Sequence, residues 1–325
     1  MKDVAAVAGV SLSTVSRVVN RNPVDPELAV KVERAVEMLG YRHNHTAGTL
    51  RRANGLSASI GLILEDVSNP FFSAIHRGVE EVARERSVVA FAGSSDEDAE
   101  RERELVEAVL DRRVDGLIIV PTGDDYSYLL RDVAAGIGLV FVDRPPLAID
   151  ADCVLSEDRD GAQRAVSHLL AHGHRRIAFI GYPPLRHTAI ERLTGYRAAL
   201  GGGDEIVRFC EHADEARALA RELLTGAEPP TALFTTQNLI TIEVLRALYE
   251  LRLQHEIALV GFDDILFAAS MDPAVTVVAQ DPQGIGRAAA ELLFSRLDGY
   301  SGPSRRVVLP TPLIERGSGE LPPKG

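Results

Sequence analysis

Lys2-Asp3-Val4-Ala5-Ala6-Val7-Ala8-Gly9-Val10-Ser11-Leu12-Ser13-Thr14-Val15-Ser16-Arg17-Val18-Val19-Asn20 is the stretch that decides how this chain is read. Val4 and Ala8 make one apolar stripe, Gly9 supplies a helix-ending conformation open to few other residues, and Ser11 can cap a second helix. That second helix buries Val15, Val18 and Val19. Its other face holds Leu12, Ser13, Ser16 and Arg17, small or hydrogen-bonding groups near a helix N-terminus, where a recognition helix meets base edges and phosphates. A third helix comes next, with Asp25 as its cap, Pro26 at its first position, a stripe of Leu28, Val32, Val36 and Leu39, and Gly40 as its stop. Three helices then close one small core, in the pattern of a helix-turn-helix rather than a generic αα-hairpin.

The chain has 325 residues, enough for two or three domains, and its 46% hydrophobic and 25% charged residues are ordinary for a globular protein. A net charge of −12 argues against a nucleic-acid binder only until it is divided: residues 1–55 carry eight Lys or Arg against five Asp or Glu, a net +3, which leaves −15 for the remainder. A positive head on an acidic body binds phosphate with one end and is repelled elsewhere, which favours a defined orientation. Cys153 and Cys210 stand in no metal-ligand spacing, and no N-terminal apolar run is long enough for a signal peptide or membrane helix, so the expected compartment is the reducing cytoplasm.

Between head and body, residues 41–59 are polar and basic, then rich in small side chains. Asn44 could cap a helix of about two turns ending near Arg51, but Thr46, Gly48 and Thr49 are poor helix formers and so short a helix is marginal in water. The expectation is a linker that stays disordered until something orders it. From Ile60 the chain alternates strand-like and helix-like runs: Ile60 to Leu64, Val88 to Ala92, Gly116 to Val120 and Leu139 to Val142, then Ile177 to Ile180, Ile206 to Phe209, Ala232 to Thr235 and Ala258 to Phe262. Apolar strands alternating with helices imply parallel sheets covered on both faces, and two series imply two doubly wound lobes with ligands at the carboxyl ends of the strands.

The head resembles the LacI/GalR family of bacterial transcription regulators, in the run from Asp3-Val4-Ala5 through Ala8-Gly9-Val10-Ser11 to Thr14-Val15-Ser16-Arg17-Val18-Val19-Asn20. By position, Leu12, Ser13 and Arg17 look like base-reading residues, and Ser11, Thr14, Ser16 and Asn20 like phosphate-contacting or helix-positioning ones. The family's usual start lies a few residues ahead of Lys2. In the family the segment after the head becomes a hinge helix on DNA and wedges a leucine into the minor groove, which implies Leu50 as wedge, supported by Ala47, with Asn44 at the helix start. Gly48, and His43 where many relatives have proline, depart from that pattern and leave a plain flexible tether as the alternative.

The body resembles the family's effector domain, similar to periplasmic sugar-binding proteins. The markers are Asp66-Val67-Ser68-Asn69-Pro70-Phe71-Phe72, Arg113-Val114-Asp115-Gly116-Leu117-Ile118, Val142-Asp143-Arg144-Pro145, Gly173-His174-Arg175-Arg176-Ile177-Ala178-Phe179-Ile180-Gly181, Glu191-Arg192-Leu193-Thr194-Gly195-Tyr196 and Val260-Gly261-Phe262-Asp263-Asp264. The implied fold is α/β: a three-helix helix-turn-helix domain over 1–43, a hinge over 44–59, a two-lobed periplasmic-binding-protein-like effector domain over 60–318, and a tail over 319–325. The family's three crossings between lobes would fall near Cys153, Asp281 and Arg306, giving a first lobe of 60–152 and 282–305 and a second of 153–281 and 306–318.

A sugar needs carboxylate, amide and guanidinium partners for its hydroxyls and an aromatic face for its ring. By family position the candidates are Phe71, Phe72, Asp160, Arg186, Arg192, Gln237, Asp263 and Gln280. Competing explanations are helix caps or a mixed catalytic pair for Asp263 and Asp264, a helix-surface ion pair for Arg192, and a helix-start core pair for Phe71 and Phe72. Gln237-Asn238 stands where relatives usually show Asn-Asp, which keeps an amide but removes a carboxylate. Three patterns read as decoys. His168, His172 and His174 straddle a helix end and a turn, so no metal is expected. Gly284-Ile285-Gly286-Arg287-Ala288-Ala289 only mimics a dinucleotide fingerprint, and a triple glycine at 201–203 shortens a loop.

The expected protein is therefore a cytoplasmic, homodimeric regulator of double-stranded operator DNA, most simply a repressor, controlled by a carbohydrate-like effector, with no cofactor and no membrane segment. One recognition helix reads only a half-site, hence the dimer, and the last seven residues contain no heptad for a tail-mediated tetramer. A transport-type binding protein without regulatory role leaves residues 1–52 unexplained. A regulator indifferent to small molecules, or one controlled by a protein partner, is the remaining alternative. An enzyme lacks a nucleophile, metal or phosphate motif.

Overall fold

In the computed structural model residues 1–19, 22–41 and 57–324 are described. They fall into two compact units, Met1–Ser57 and Ala58–Gly325. Asn20, Asn44, Ala47 and Leu50 lie outside the described residues, so the hinge reading is carried by sequence alone.

The first unit contains α1 (Lys2–Ala8), α2 (Leu12–Val19) and α3 (Pro26–Met38). Gly9 closes α1 at φ 63°, a left-handed conformation that glycine adopts without the Cβ clash of other residues. The Ser11 hydroxyl accepts from the Thr14 amide at 3.1 Å, and the Asp25 carboxylate accepts from the Glu27 amide at 2.9 Å, so both later helices have their first orphan donors satisfied. Val4, Val15, Val32 and Ala35 form the buried centre, with Val10, Val18, Val19, Val36 and Tyr41 packed around it. Leu39, expected in the stripe, is exposed; Ala35 takes the central place, because α3 ends at Met38 and Leu39 has already turned away as its cap.

The second unit has two six-stranded sheets. The first uses β1 (Ser59–Leu64), β2 (Val89–Ser94), β3 (Gly116–Ile119), β4 (Gly138–Val142), β5 (Asp152–Ser156) and, far along the chain, β11 (Arg306–Leu309), in the order β11-β5-β4-β3-β1-β2 and all parallel. The second uses β6 (Ile177–Gly181), β7 (Ile206–Phe209), β8 (Ala232–Thr235), β9 (Ala258–Phe262), β10 (Thr276–Val278) and β12 (Leu313–Ile314), in the order β12-β10-β9-β8-β6-β7, with only β12 antiparallel. The central strands are buried along their length, as sheets covered on both faces require.

Helices in chain order are α4 (Pro70–Glu85), α5 (Ala99–Leu110), α6 (Leu130–Ala134), α7 (Asp158–Ala171), α8 (His187–Leu200), α9 (Ala216–Thr225), α10 (Asn238–Leu251) and α11 (Pro282–Leu297). The last joins the first lobe against α4, where a Cβ on Gly286 would stand 2.1 Å from the Ile75 carbonyl oxygen and one on Gly78 would stand 2.1 Å from that of Gln283. The Gly284 to Ala289 run thus serves close backbone approach between two helices.

Two of the three expected crossings, those near Cys153 and Arg306, fall a few residues later along the chain. β5 pairs with β4 (Val140↔Asp152) and β11 with β5 (Arg306↔Cys153), so Cys153 and Arg306 lie inside the first sheet and the chain leaves that lobe only after Ser156 and again after Leu309. Asp152 explains why. Buried at the start of β5, it binds Arg296 on α11 (2.7 Å) and Arg305 just before β11 (2.6 Å), tying three separate segments of chain together. The segment expected as a tail is also incorporated: the Glu320 carboxylate accepts from the Thr276 hydroxyl at 2.9 Å and the Gly317 amide at 2.6 Å, and the Leu321 carbonyl lies 2.8 Å from His174 Nε2. Cys153 and Cys210 are both buried free thiols.

Candidate functional site

The recognition face of the head is open within its own unit. Leu12, Ser13 and Arg17 are exposed on α2, outside the three-helix core. Ser11 holds Ser13 Oγ at 2.7 Å and Thr14 Oγ1 at 2.8 Å, a hydroxyl cluster at the positive end of the helix, where phosphate oxygens are favoured.

The second site is a cavity between the two lobes of the body, at the carboxyl ends of both sheets. Strand ends supply its floor. Asp143 comes directly after β4 in the first lobe, and Asp263 directly after β9 in the second. Both take left-handed backbone, φ 69° and 72°, although neither is glycine. Such residues cost backbone energy and persist where the surroundings hold them, here through amide bonds from Asp143 to the Val154 carbonyl (3.0 Å) and from Asp263 to that of Val278 (2.8 Å). The result is two inward carboxylates at corresponding places of two lobes.

Arg192, buried on α8, is held by Asp158 Oδ1 at 2.7 Å, donates to the Thr236 carbonyl at 2.6 Å, and lies over the Phe262 ring at 3.9 Å. Burial, opposed chiefly by Arg192, pushes Asp158 up to about 7. It also lifts Asp143 to about 6 against the pull of Arg144 and Arg192, and raises Asp263. Gln280 donates to Asp263 at 2.6 Å, while its own Oε1 is buried without a partner among the described residues and adds a spare acceptor to the site.

Several contacts span the lobes. Asn69, which caps α4, and Asn238, the first residue of α10, form a buried amide pair at 2.7 Å and 3.5 Å. At the mouth, Arg186 from the second lobe pairs with Glu97 and, at 3.7 Å, with Glu65 of the first, where Arg144 also pairs with Glu65. Burial and the neighbouring Glu65 raise Glu97.

Phe71, Phe72, Arg186, Arg192, Gln237, Asp263 and Gln280 all line this cavity; Asp160 does not. It is exposed, because the inward positions of α7 are Asp158, Gly161, Ala162, Ala165, Val166 and Leu169. That helical spacing points to Asp158 and is readable from sequence. Phe71 and Phe72 serve in both ways, meeting edge to face at 5.1 Å in the core while lining the cavity. Gln237 spends its carbonyl oxygen on capping α10, accepting from Leu239 at 2.9 Å and Ile240 at 3.4 Å. Glu65, Asn69, Glu97, Asp143 and Arg144 also line the cavity and are not among the sequence candidates. For Asp143 and Arg144, in the run Val142-Asp143-Arg144-Pro145, the available signal is their place at a strand end; Glu65 and Glu97 carry none beyond lying near strand ends. Asp264 turns outward to Arg316 at 2.6 Å.

The profile of bacterial regulatory proteins of the lacI family matches residues 1–44, and that of a periplasmic binding protein-like domain matches residues 166–319. The ribose operon repressor of Escherichia coli is 33% identical, over 98% of this chain and 99% of that one. The chain belongs to the lacI family of bacterial regulatory proteins. Among solved structures, that of the lac repressor dimer bound to operator and an anti-inducer is 26% identical over 98% of both chains with a TM-score of 0.83. A complex of the transcriptional regulator CelR with cellobiose is 29% identical over 98% of both chains with a TM-score of 0.70. As a lacI-family member the protein is a DNA-binding transcription regulator, not an enzyme. Among the described residues no helix is long and apolar enough to cross a membrane.

Proposed function

We propose that this lacI-family protein is a cytoplasmic repressor that binds a pseudo-palindromic operator as a homodimer and responds to a sugar or sugar derivative. The observation that carries the effector reading is the acceptor-rich floor formed by Asp143, Asp263 and Gln280 beside the fixed guanidinium of Arg192. Carboxylates and a guanidinium around one cavity match the donors and acceptors of vicinal hydroxyls, and Phe71 and Phe72 offer apolar surface to a ring. The cellobiose complex of CelR and the ribose operon repressor support the same class.

The dimer reading rests on the half-site logic of one recognition helix and on apolar groups in the body that its own core leaves exposed: Val89 and Phe91 on the edge strand β2, and Leu266 and Phe267 after β9. Leu12, Ser13 and Arg17 read bases; Ser11, Thr14, Ser16 and Asn20 hold phosphates or the helix; and the segment with Asn44, Ala47 and Leu50 folds as a minor-groove wedge. An effector shifts operator affinity only by its differential affinity for two lobe arrangements, typically about 1–3 kcal/mol of coupling. The contacts that change between arrangements are the Asn69–Asn238 pair and the Arg186 bridge to Glu97.

Gel shifts on promoter fragments carrying inverted repeats test the DNA half: binding that weakens steeply with salt is expected, and its absence removes the proposal. A thermal-shift screen of sugars tests the effector half, since a ligand at about 100 times its Kd stabilises by about 2.7 kcal/mol. A flat screen leaves a DNA-binding regulator without a carbohydrate effector.

A further inference from the structure

Away from the cleft, His168 on α7 meets Glu315, just after β12, and Glu320 in the C-terminal segment, and their ligand atoms all lie within 4.8 Å of one another. We propose that these three residues bind a divalent transition metal of the zinc class, which fastens the last residues of the chain to the second lobe.

The donor set is the first argument. One imidazole nitrogen and two carboxylates suit zinc, with a fourth position left for water. Metal–donor distances of about 2.0–2.2 Å place donors about 3.4 Å apart, so His168 Nε2 and Glu320 Oε1, now 2.6 Å apart, would part by less than about 1 Å within a cluster whose ligand atoms all lie within 4.8 Å of one another. The second argument is orientation. The Thr276 hydroxyl accepts from the Arg316 amide at 2.9 Å and donates to Glu320 at 2.9 Å, while the Gly317 amide donates to Glu320 at 2.6 Å. Glu320 is therefore aimed at His168 by outer-shell donors, as ligating carboxylates are. His168 Nε2 lies 2.6 Å from Glu320 Oε1, the contact that a metal ion would replace.

The third argument is charge. Two carboxylates converge here, yet among the described residues no lysine or arginine pairs with either. Arg316, beside Glu315 in sequence, is committed to Asp264 at 2.6 Å. The histidine cluster visible in sequence is not the site: His172 Nδ1 lies 2.9 Å from the His168 carbonyl, and His174 is held between Thr231 at 2.9 Å and the Leu321 carbonyl at 2.8 Å. The carboxylates that complete the site come from the far end of the chain, Glu320 being 152 residues beyond His168.

The test uses the full-length protein stripped with EDTA and titrated with zinc chloride by calorimetry, alongside thermal melts. One ion per chain and a melting temperature that rises with zinc and falls again with EDTA are expected. Glu315 is exposed, so Glu315→Gln leaves folding intact; its affinity should fall by at least the about ten- to hundredfold that losing an outer-shell partner costs. His168→Gln should abolish the thermal response to zinc. No saturable binding by the wild-type chain, or equal affinity in Glu315→Gln, overturns the proposal and leaves His168–Glu320 as a hydrogen bond that secures the chain end.

Discussion

Replacing Arg192 by methionine keeps much of the side chain's volume over Phe262 but removes the partner of Asp158, a carboxylate that is 3% exposed. Breaking a buried ion pair from one side costs about 3–5 kcal/mol, because the remaining charge is stranded. The body is a little larger than domains in which 1 kcal/mol moves the melting temperature by about 2–4 °C, so a drop of about 10 °C is expected. The pH dependence has a sign fixed by Asp158. Its carboxyl titrates at about 7 in the intact protein and, without Arg192, holds its proton more tightly still. Between the mutant's higher value and about pH 7 the variant gains a proton on folding that the parent does not, so its penalty is largest near pH 9 and shrinks as pH falls toward 7. Below that both carry a neutral Asp158. Adding Asp158→Asn should recover about 2 kcal/mol or more at pH 9, as neighbours in one network are strongly coupled. Calorimetric melts of the parent, the two single variants Arg192→Met and Asp158→Asn, and the double variant at pH 9 and pH 7 measure all of this. A loss under about 1 kcal/mol at pH 9, or no recovery in the double variant, refutes the ion-pair account of how Arg192 is held.

Asn238→Ala strands the Asn69 amide across the cleft and should cost about 1–3 kcal/mol in melts; it should also shrink the effector-induced change in operator affinity, read by fluorescence anisotropy, whereas unchanged coupling removes the pair from the switch. Gly286→Ala puts a Cβ 2.1 Å from the Ile75 carbonyl oxygen, and denaturant midpoints should show about 1–3 kcal/mol lost through forced separation of α4 and α11. In gel shifts, Leu12→Ala and Leu50→Ala should each weaken specific operator binding far more than binding to random DNA; equal losses in Leu50→Ala would exclude the minor-groove wedge.

The head and the lobes were legible because their signals are local. Gly9, Ser11 and the valines of α2 specify a turn, a cap and a buried stripe within one short segment, and strands such as β6 and β9 are apolar runs whose burial on both faces needs no knowledge of their neighbours. Arg192, Asp263, Gln237 and Gln280, which the family resemblance implied by position, all line the cavity. In the run 158–160 the family position falls on exposed Asp160, whereas the helical period puts Asp158 on the buried face.

What local signals could not convey is which distant segments share a sheet and which charges share a cavity. β5 and β11 begin with Asp152 and Arg306, polar residues that conceal short strands; only the pairing of Asp152 with Arg296 and Arg305 shows that they finish the first lobe. Asn69 and Asn238 are 169 residues apart, and Glu97 finds Arg186 across a cleft that exists only once two lobes have formed. Sequence by itself determined that this chain has a DNA-reading head and two doubly wound lobes, since caps, turns and hydrophobic period act over a few residues. Tertiary structure alone decided where the chain crosses between the lobes, that Asn69 meets Asn238 across the cleft, and that His168 faces Glu315 and Glu320. Those outcomes depend on contacts whose partners are brought together only by the packing of the whole body.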